Sequence, residues 1–179
     1  QITILSGPPA ISSSTTANFQ FISSENDTAY QCQLDVNPWQ ACSASTTAAV
    51  TEGQHILEVK GADQAGNMST STAHAWLVDL TAPASAVNSL PATTTAVSFA
   101  VSWSGTDVDA AGATTTASGL ADFAVQYKID AGGWQDWVSA TTSTSAIFNI
   151  SVSVGQTVYF RSRARDIIGN LENWPAGEN

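Results

Sequence analysis

The sequence predicts an all-β protein built as two tandem antiparallel β-sandwich domains, residues 1–80 and 81–179. Three observations carry that prediction. No segment sustains a helical period, whereas short apolar runs alternate with polar residues as in half-buried strands. Gly, Pro, Asn and Asp clusters separate those runs at turn spacing. The stretch Tyr30-Gln-Cys-Gln-Leu-Asp-Val-Asn-Pro-Trp-Gln-Ala-Cys42 recurs 95 positions later as Val125-Gln-Tyr-Lys-Ile-Asp-Ala-Gly-Gly-Trp-Gln-Asp-Trp137. A repeat at that distance implies two related domains, and 179 residues suit two modules of this size.

In chain order, Gln1–Leu5 is a short alternating run stopped by Gly7-Pro-Pro9, and Ser12–Ala17 is a polar spacer. Ala17–Ile22 alternates, placing Phe19 and Phe21 on one face. A polar loop, Ser23–Thr28, leads to the repeated hairpin, where Tyr30, Cys32 and Leu34 alternate with Gln31, Gln33 and Asp35. Asp35-Val-Asn-Pro38 has turn chemistry, and Trp39 to Cys42 returns. Ser43–Thr51 is a small-residue strand and turn. His55–Gly61 sends Leu57 and Val59 inward and Glu58 and Lys60 outward, followed by a tight turn at Ala62–Asn67 and a closing strand at Thr72–Val78. Asp79–Pro83 is a short, proline-bearing linker.

The second domain repeats the plan. Ser98–Trp103 puts Phe99, Val101 and Trp103 on one face, and Gly105–Asp122 is a longer polar loop. The second hairpin follows, then a strand at Ala146–Ile150 and another at Val158–Arg165. In the latter, Phe160 and Ser162 point in while Arg161, Arg163 and Arg165 point out. Asp166-Ile-Ile-Gly-Asn170 repeats the Asp-x-x-Gly-Asn pattern of Asp63–Asn67, and Leu171–Trp174 begins a last strand. The chain opens at Gln1 within strand-like sequence, so a piece of a longer protein is expected.

Composition narrows the function. The net charge is −10 with five basic residues, which disfavours nucleic acid and anionic membranes, since both need phosphates neutralised. An acidic surface suits divalent cations. Cys32 and Cys42 face each other on one hairpin and read as a disulfide, which implies an oxidising compartment. Two reduced core thiols and a metal pair are the alternatives, though two Cys with no nearby His make a poor zinc set. His55 and His74 have no plausible nucleophile beside them, and the second domain has no His. No phosphate loop is present either, so no enzyme is expected.

At the Asp-x-x-Gly-Asn turns a resemblance appears. The first domain, with Tyr30-x-Cys-x-Leu-Asp, Trp39, Cys42, Asp63-x-x-Gly-Asn67 and Trp76-x-Val-Asp-x-Thr-Ala-Pro83, resembles the bacterial immunoglobulin-like repeats of secreted and cell-surface proteins. The second, with Val101-Ser-Trp-Ser-Gly-Thr-Asp107, Trp134-x-x-Trp137 and Phe160-Arg-x-Arg-Ala-Arg-Asp166, resembles bacterial fibronectin type III domains. It departs from that pattern at the tyrosine corner, where Val158 stands with Tyr159 beside it. The resemblance implies immunoglobulin-like sandwiches outside a bacterial cell. They would be a non-catalytic stalk, adhesion or interaction module whose partners are neighbouring domains and a protein or glycan ligand. The alternative is a carbohydrate-binding accessory pair of an extracellular enzyme.

Three groups of residues are site candidates. In a sandwich of this topology the loop after Trp103 and the Asp166 turn share one pole. Asp79, Asp107, Asp109, Asp166 and Asn170 are therefore a candidate Ca²⁺ set at the domain junction, with Glu52 and Asp35 expected near the facing end of the first domain. The competing reading is that Asp63 and Asp166 only cap their turns. Trp39, Trp134, Trp137 and Trp174 are candidate sugar-facing aromatics; against that, Trp39 and Trp134 recur at one hairpin position, as packing residues would. Arg161, Arg163 and Arg165 form a stripe suited to an acidic ligand or to cross-strand pairing.

Overall fold

A computed structural model describes residues 1–26, 28–114 and 116–176; Asp27 in the first polar loop, Thr115 in the long loop and residues 177–179 lie outside them. The chain divides into two compact units, Gln1–Leu80 and Thr81–Asn179. Among the described residues there is no helix, hence none long and apolar enough to cross a membrane. Each unit is two sheets, antiparallel but for one edge pairing in the first unit, around its own core, the β-sandwich that the alternation predicts.

In the first unit, β1 (Ile2–Ser6), β3 (Thr16–Ser23) and β6 (Ser45–Ala49) form one sheet in the order β1-β3-β6. The second sheet runs β2-β8-β7-β4-β5, from β2 (Ile11–Ser12), β8 (Thr72–Val78), β7 (Gly53–Ala62), β4 (Ala29–Leu34) and β5 (Gln40–Cys42). Pairing is antiparallel except at β2, which lies parallel to β8. The period-2 pattern sends Ala17, Phe19 and Phe21 of β3 inward against Leu57 and Val59 of β7 and Trp76 and Val78 of β8. Phe19 meets Trp76 edge-on, with ring centroids 5.3 Å apart.

In the second unit, β9 (Ala84–Val87), β10 (Phe99–Thr106) and β13 (Ser145–Phe148) form the sheet β13-β10-β9. The facing sheet is β12-β11-β14, from β12 (Gln135–Thr141), β11 (Leu120–Ile129) and β14 (Val158–Asp166). Val101 and Trp103 pack against Val125, Phe148 and Phe160.

Three sequence expectations change here. Ala84–Val87 is a strand paired with Trp103–Thr106, although its run of small residues carries no apolar signal. The long loop is shorter than Gly105–Asp122, because β10 runs to Thr106 and β11 starts at Leu120. Leu171–Trp174 starts no strand: Leu171 makes a single bridge to Arg165. Glu172 then turns inward, its carboxylate accepting from Ala164 N (2.8 Å), Ser85 N (2.9 Å) and Ser85 Oγ (2.7 Å). A carboxylate thus satisfies the edges of both sheets where a strand was expected.

The two hairpins are closed as differently as their sequences. Cys32 and Cys42 form a disulfide across β4 and β5. In the second unit Tyr127 and Trp137 stand where the repeat has Cys32 and Cys42 in the first, and they do not stack on each other. Trp137 packs on Trp103, Phe148 and Phe160, and Tyr127 packs on Phe148. Asp35 and Asp130 start both turns in left-handed backbone (φ 55° and 50°), a conformation Asp tolerates better than most residues. Each also ties its turn to the next strand: Asp35 Oδ1 accepts from Ile56 N and Asp130 Oδ1 from Thr157 N, both at 2.8 Å.

Candidate functional site

The strand ends of the second unit bring two carboxylates together. Asp107 follows β10 and Asp166 closes β14. Leu120 pairs with Asp166, and Ile167 N donates to Gly119 O, which holds the start of β11 beside the Asp166 turn. Gly119 N in turn donates to Asp107 Oδ2 at 2.7 Å. The result places a carboxylate oxygen of Asp107 within 4.8 Å of one of Asp166, with side chains 6% and 1% exposed. Asp166 is also fully used as a turn cap. Its Oδ1 accepts from Gly169 N and Asn170 N, and its Oδ2 from Asn170 Nδ2, all at 2.7 Å. Both carboxylates therefore have structural work, and two negative groups lie close together out of water.

The other members of the acidic set fall elsewhere. Asp109 closes its own loop: it accepts from Ala111 N (2.9 Å), Ala113 N (2.8 Å) and the Thr116 hydroxyl. The Thr116 hydrogen bond, then that of Ala113 N, holds its pKa below the ordinary Asp value. Its oxygens serve a local turn, and it does not join Asp107 and Asp166 in their close approach. Asn170 stays with Asp166, and its Nδ2 also approaches Thr81 O at 3.5 Å. Asp79 ends the first unit buried, its backbone N donating to Ser12 O. Glu52 accepts from Leu80 N, and Asp35 holds His55, with Nδ1 2.8 Å from its Oδ2.

Both histidines are likewise committed. His55 Nε2 lies 2.9 Å from Thr51 O, and His74 Nε2 lies 2.9 Å from Pro8 O. Neither has a serine or cysteine nucleophile among these hydrogen-bond partners.

The tryptophans split into two kinds. Trp137 is half-buried and packed against the core. Trp39, Trp134 and Trp174 are half-buried, and each carries a cation over its ring. Lys60 Nζ sits 4.0 Å from the Trp39 centroid. On the outer face of β12-β11-β14 the contacts run in a row. Lys128 Nζ lies 5.3 Å from Trp134, the Arg161 guanidinium 4.3 Å from Trp134 and 5.0 Å from Trp174, and the Arg163 guanidinium 4.5 Å from Trp174. Tyr159 belongs to this row as well, its ring 4.8 Å from Lys128 Nζ. Cross-strand register makes the row: Lys128 pairs with Tyr159, Gln126 with Arg161, Ala124 with Arg163 and Asp122 with Arg165. The expected cross-strand partners are found for Arg165, which binds Asp122, and for Arg161, whose Nε and Nη2 donate to Gln126 Oε1. Burial, and then the charge of Arg163, pulls the Arg161 pKa below the usual guanidinium value. The alternating Arg-x-Arg-x-Arg pattern and the hairpin Trp were visible in the sequence; that Trp174 would fold back over them was not.

No family model matches the chain, and no curated protein does. Among solved structures it is similar to the fibronectin(III)-like modules of Clostridium thermocellum CbhA, at 10% identity and TM-score 0.39, over 98% of this chain and 90% of that one. It is also similar to a cytokine receptor complex, at 14% identity and TM-score 0.36, over 98% of this chain and 100% of that one. Neither likeness is close enough to assign a function, and the all-β sandwich assignment rests on the strand order and the two cores.

Proposed function

We propose that this chain is a non-catalytic extracellular module, a stalk or interaction segment of a larger secreted or surface protein. The observation that carries this reading is the structural commitment of its reactive groups. Both histidines are hydrogen-bonded to backbone carbonyls, and the two cysteines are joined. The disulfide supports an oxidising compartment. The carbohydrate-binding alternative calls for open indole faces, whereas Trp137 packs on the core and the other three candidate rings carry stacked cations. The test is a panel of ester, glycoside and peptide substrates offered to the purified oxidised chain. No turnover is expected; turnover that falls in His55→Ala or Asp166→Asn would overturn the reading.

A second reading concerns Ca²⁺, and the closeness of buried Asp107 and Asp166 favours it. Hard oxygen donors in this arrangement suit that ion. The reading takes Asp107 and Asp166 as ligands, with Asn170 beside Asp166. Melting of the chain in Ca²⁺ and in EDTA checks it. A higher Tm in Ca²⁺, lost in Asp107→Asn, is expected; identical curves would remove the ion from the account.

A further inference from the structure

The chain carries only five basic residues, and four of them, Lys128, Arg161, Arg163 and Arg165, stand in register on one sheet face of an otherwise acidic molecule. The acids on that face are already engaged: Asp122 holds Arg165, and Asp136 accepts from Gln126. Arg161 donates to two neutral acceptors, Gln126 Oε1 and Pro175 O, which leave its charge uncompensated. Arg163 differs. It stacks on Trp174, yet its Nε is buried with no acceptor, and no carboxylate pairs with it among the described residues. Because Nε is covered, an anion that approaches this guanidinium meets the fork of its two Nη groups.

We infer that this face binds an acidic peptide in extended conformation, with Arg163 as the forked anchor for a carboxylate. The inference rests on the interaction-module reading and names its partner chemistry. Two observations favour a peptide over a sugar acid. Trp134 and Trp174 each already have two cations over the ring, so the stacking that a pyranose would need is taken. Arg161 and Arg163 lie two residues apart on one strand, a spacing of about 6.4–6.8 Å, which is also the spacing of alternate side chains in an extended peptide. Carboxylates at every second position of such a peptide therefore fall in step with the arginine row. A second copy of this chain does not fit through the same strand, because antiparallel self-pairing would set arginine against arginine.

The test is a tryptophan-fluorescence titration of the oxidised chain at about 0.01 M salt, where charges act over about 30 Å. The probes are a blocked peptide of alternating Ser and Glu, its Gln counterpart, and polygalacturonate. Saturable binding of the Glu peptide alone is expected. It should weaken about tenfold or more in Arg163→Gln, less in Arg163→Lys, which keeps the charge but loses the fork, and not at all in Lys60→Gln. Near-UV circular dichroism of each variant verifies that the second unit is folded. Absent binding, or binding indifferent to Arg163, overturns the inference. Arg163-dependent binding of polygalacturonate without the peptide also overturns it while leaving the interaction-module reading in place. That broader reading fails separately, on turnover.

Discussion

The turns Asp63–Asn67 and Asp166–Asn170 have the same motif, the same hydrogen bonds and different surroundings. In each, the Asp N donates to the Asn O at 3.1 Å, and the Asn amide and side chain donate back to the Asp carboxylate. In each, the glycine takes positive φ, 86° at Gly66 and 99° at Gly169. The second residue after the turn even repeats one further contact: Gly61 N donates to Ser69 Oγ, and Ala164 N to Glu172 Oε2. Beyond that point the units part. The first continues into β8, whereas the second turns Glu172 toward Ser85. Asp63 is left half-buried, while Asp166 is 1% exposed and near Asp107. The motif therefore encodes a turn. Any role for Asp166 beyond a cap comes from Asp107, on a different strand end.

The largest expected effect breaks the parallel between the two hairpins. Trp137→Ala should destabilise the second unit by about 3 kcal/mol, since it removes an aromatic packed on Trp103, Phe148 and Phe160. Trp39→Ala, at the first hairpin, loses a half-buried ring under Lys60 and should cost less. Urea unfolding followed by near-UV circular dichroism measures both; equal losses would mean that the hairpin tryptophans are interchangeable after all. Next comes the covalent closure. Replacing Cys32 and Cys42 with Ser should cost the first unit roughly 2–3 kcal/mol, the loop-closure value for a short ring. The second unit's transition should not move, as its hairpin is held by packing.

The turns themselves give a smaller contrast. Asp166→Ala strips the acceptor from two backbone N–H groups and an amide in a buried setting, so a loss of about 1–3 kcal/mol is expected. Asp63→Ala removes the same kind of cap from the more exposed turn and should cost visibly less. If the two losses match, burial is irrelevant and the turn alone sets the effect. A gain in stability from Asp166→Asn would instead indicate that repulsion with Asp107 outweighs the cap.

The sandwich was legible because its cores obey period two: Phe19 and Phe21, Leu57 and Val59, and Val101 and Trp103 each alternate with polar residues and are buried. The disulfide was legible from two cysteines on one hairpin. β9 was not, because Ala84-Ser-Ala-Val87 pairs through its backbone and offers almost no side-chain signal. The Asp107–Asp166 approach followed from topology, but Asp109 looked equivalent in sequence and is consumed by its own loop. The Arg–Trp row was half legible. Alternation put the arginines on one face, while Trp174 reached them only because the segment after Asn170 folds back instead of forming a strand. Local patterns report local geometry; which distant group completes a site depends on packing that no short window contains.

The finest contrast is in pH. The Asn67 side chain, then its backbone N–H, holds the Asp63 carboxyl below the ordinary Asp value. A group whose pKa is depressed on folding adds stability that is fully present above the unfolded pKa of about 3.9 and is lost as pH falls through the folded value. Asn67→Ala removes the larger cause while keeping the backbone turn. The variant should therefore be less stable than the parent at neutral pH and lose first-unit stability less steeply on acidification below about pH 4, so that the two converge in acid. Chemical denaturation of both proteins across that range checks this. Parallel curves would mean that the Asp63–Asn67 bond does not discriminate between the protonation states, and the two turns would then differ in burial alone.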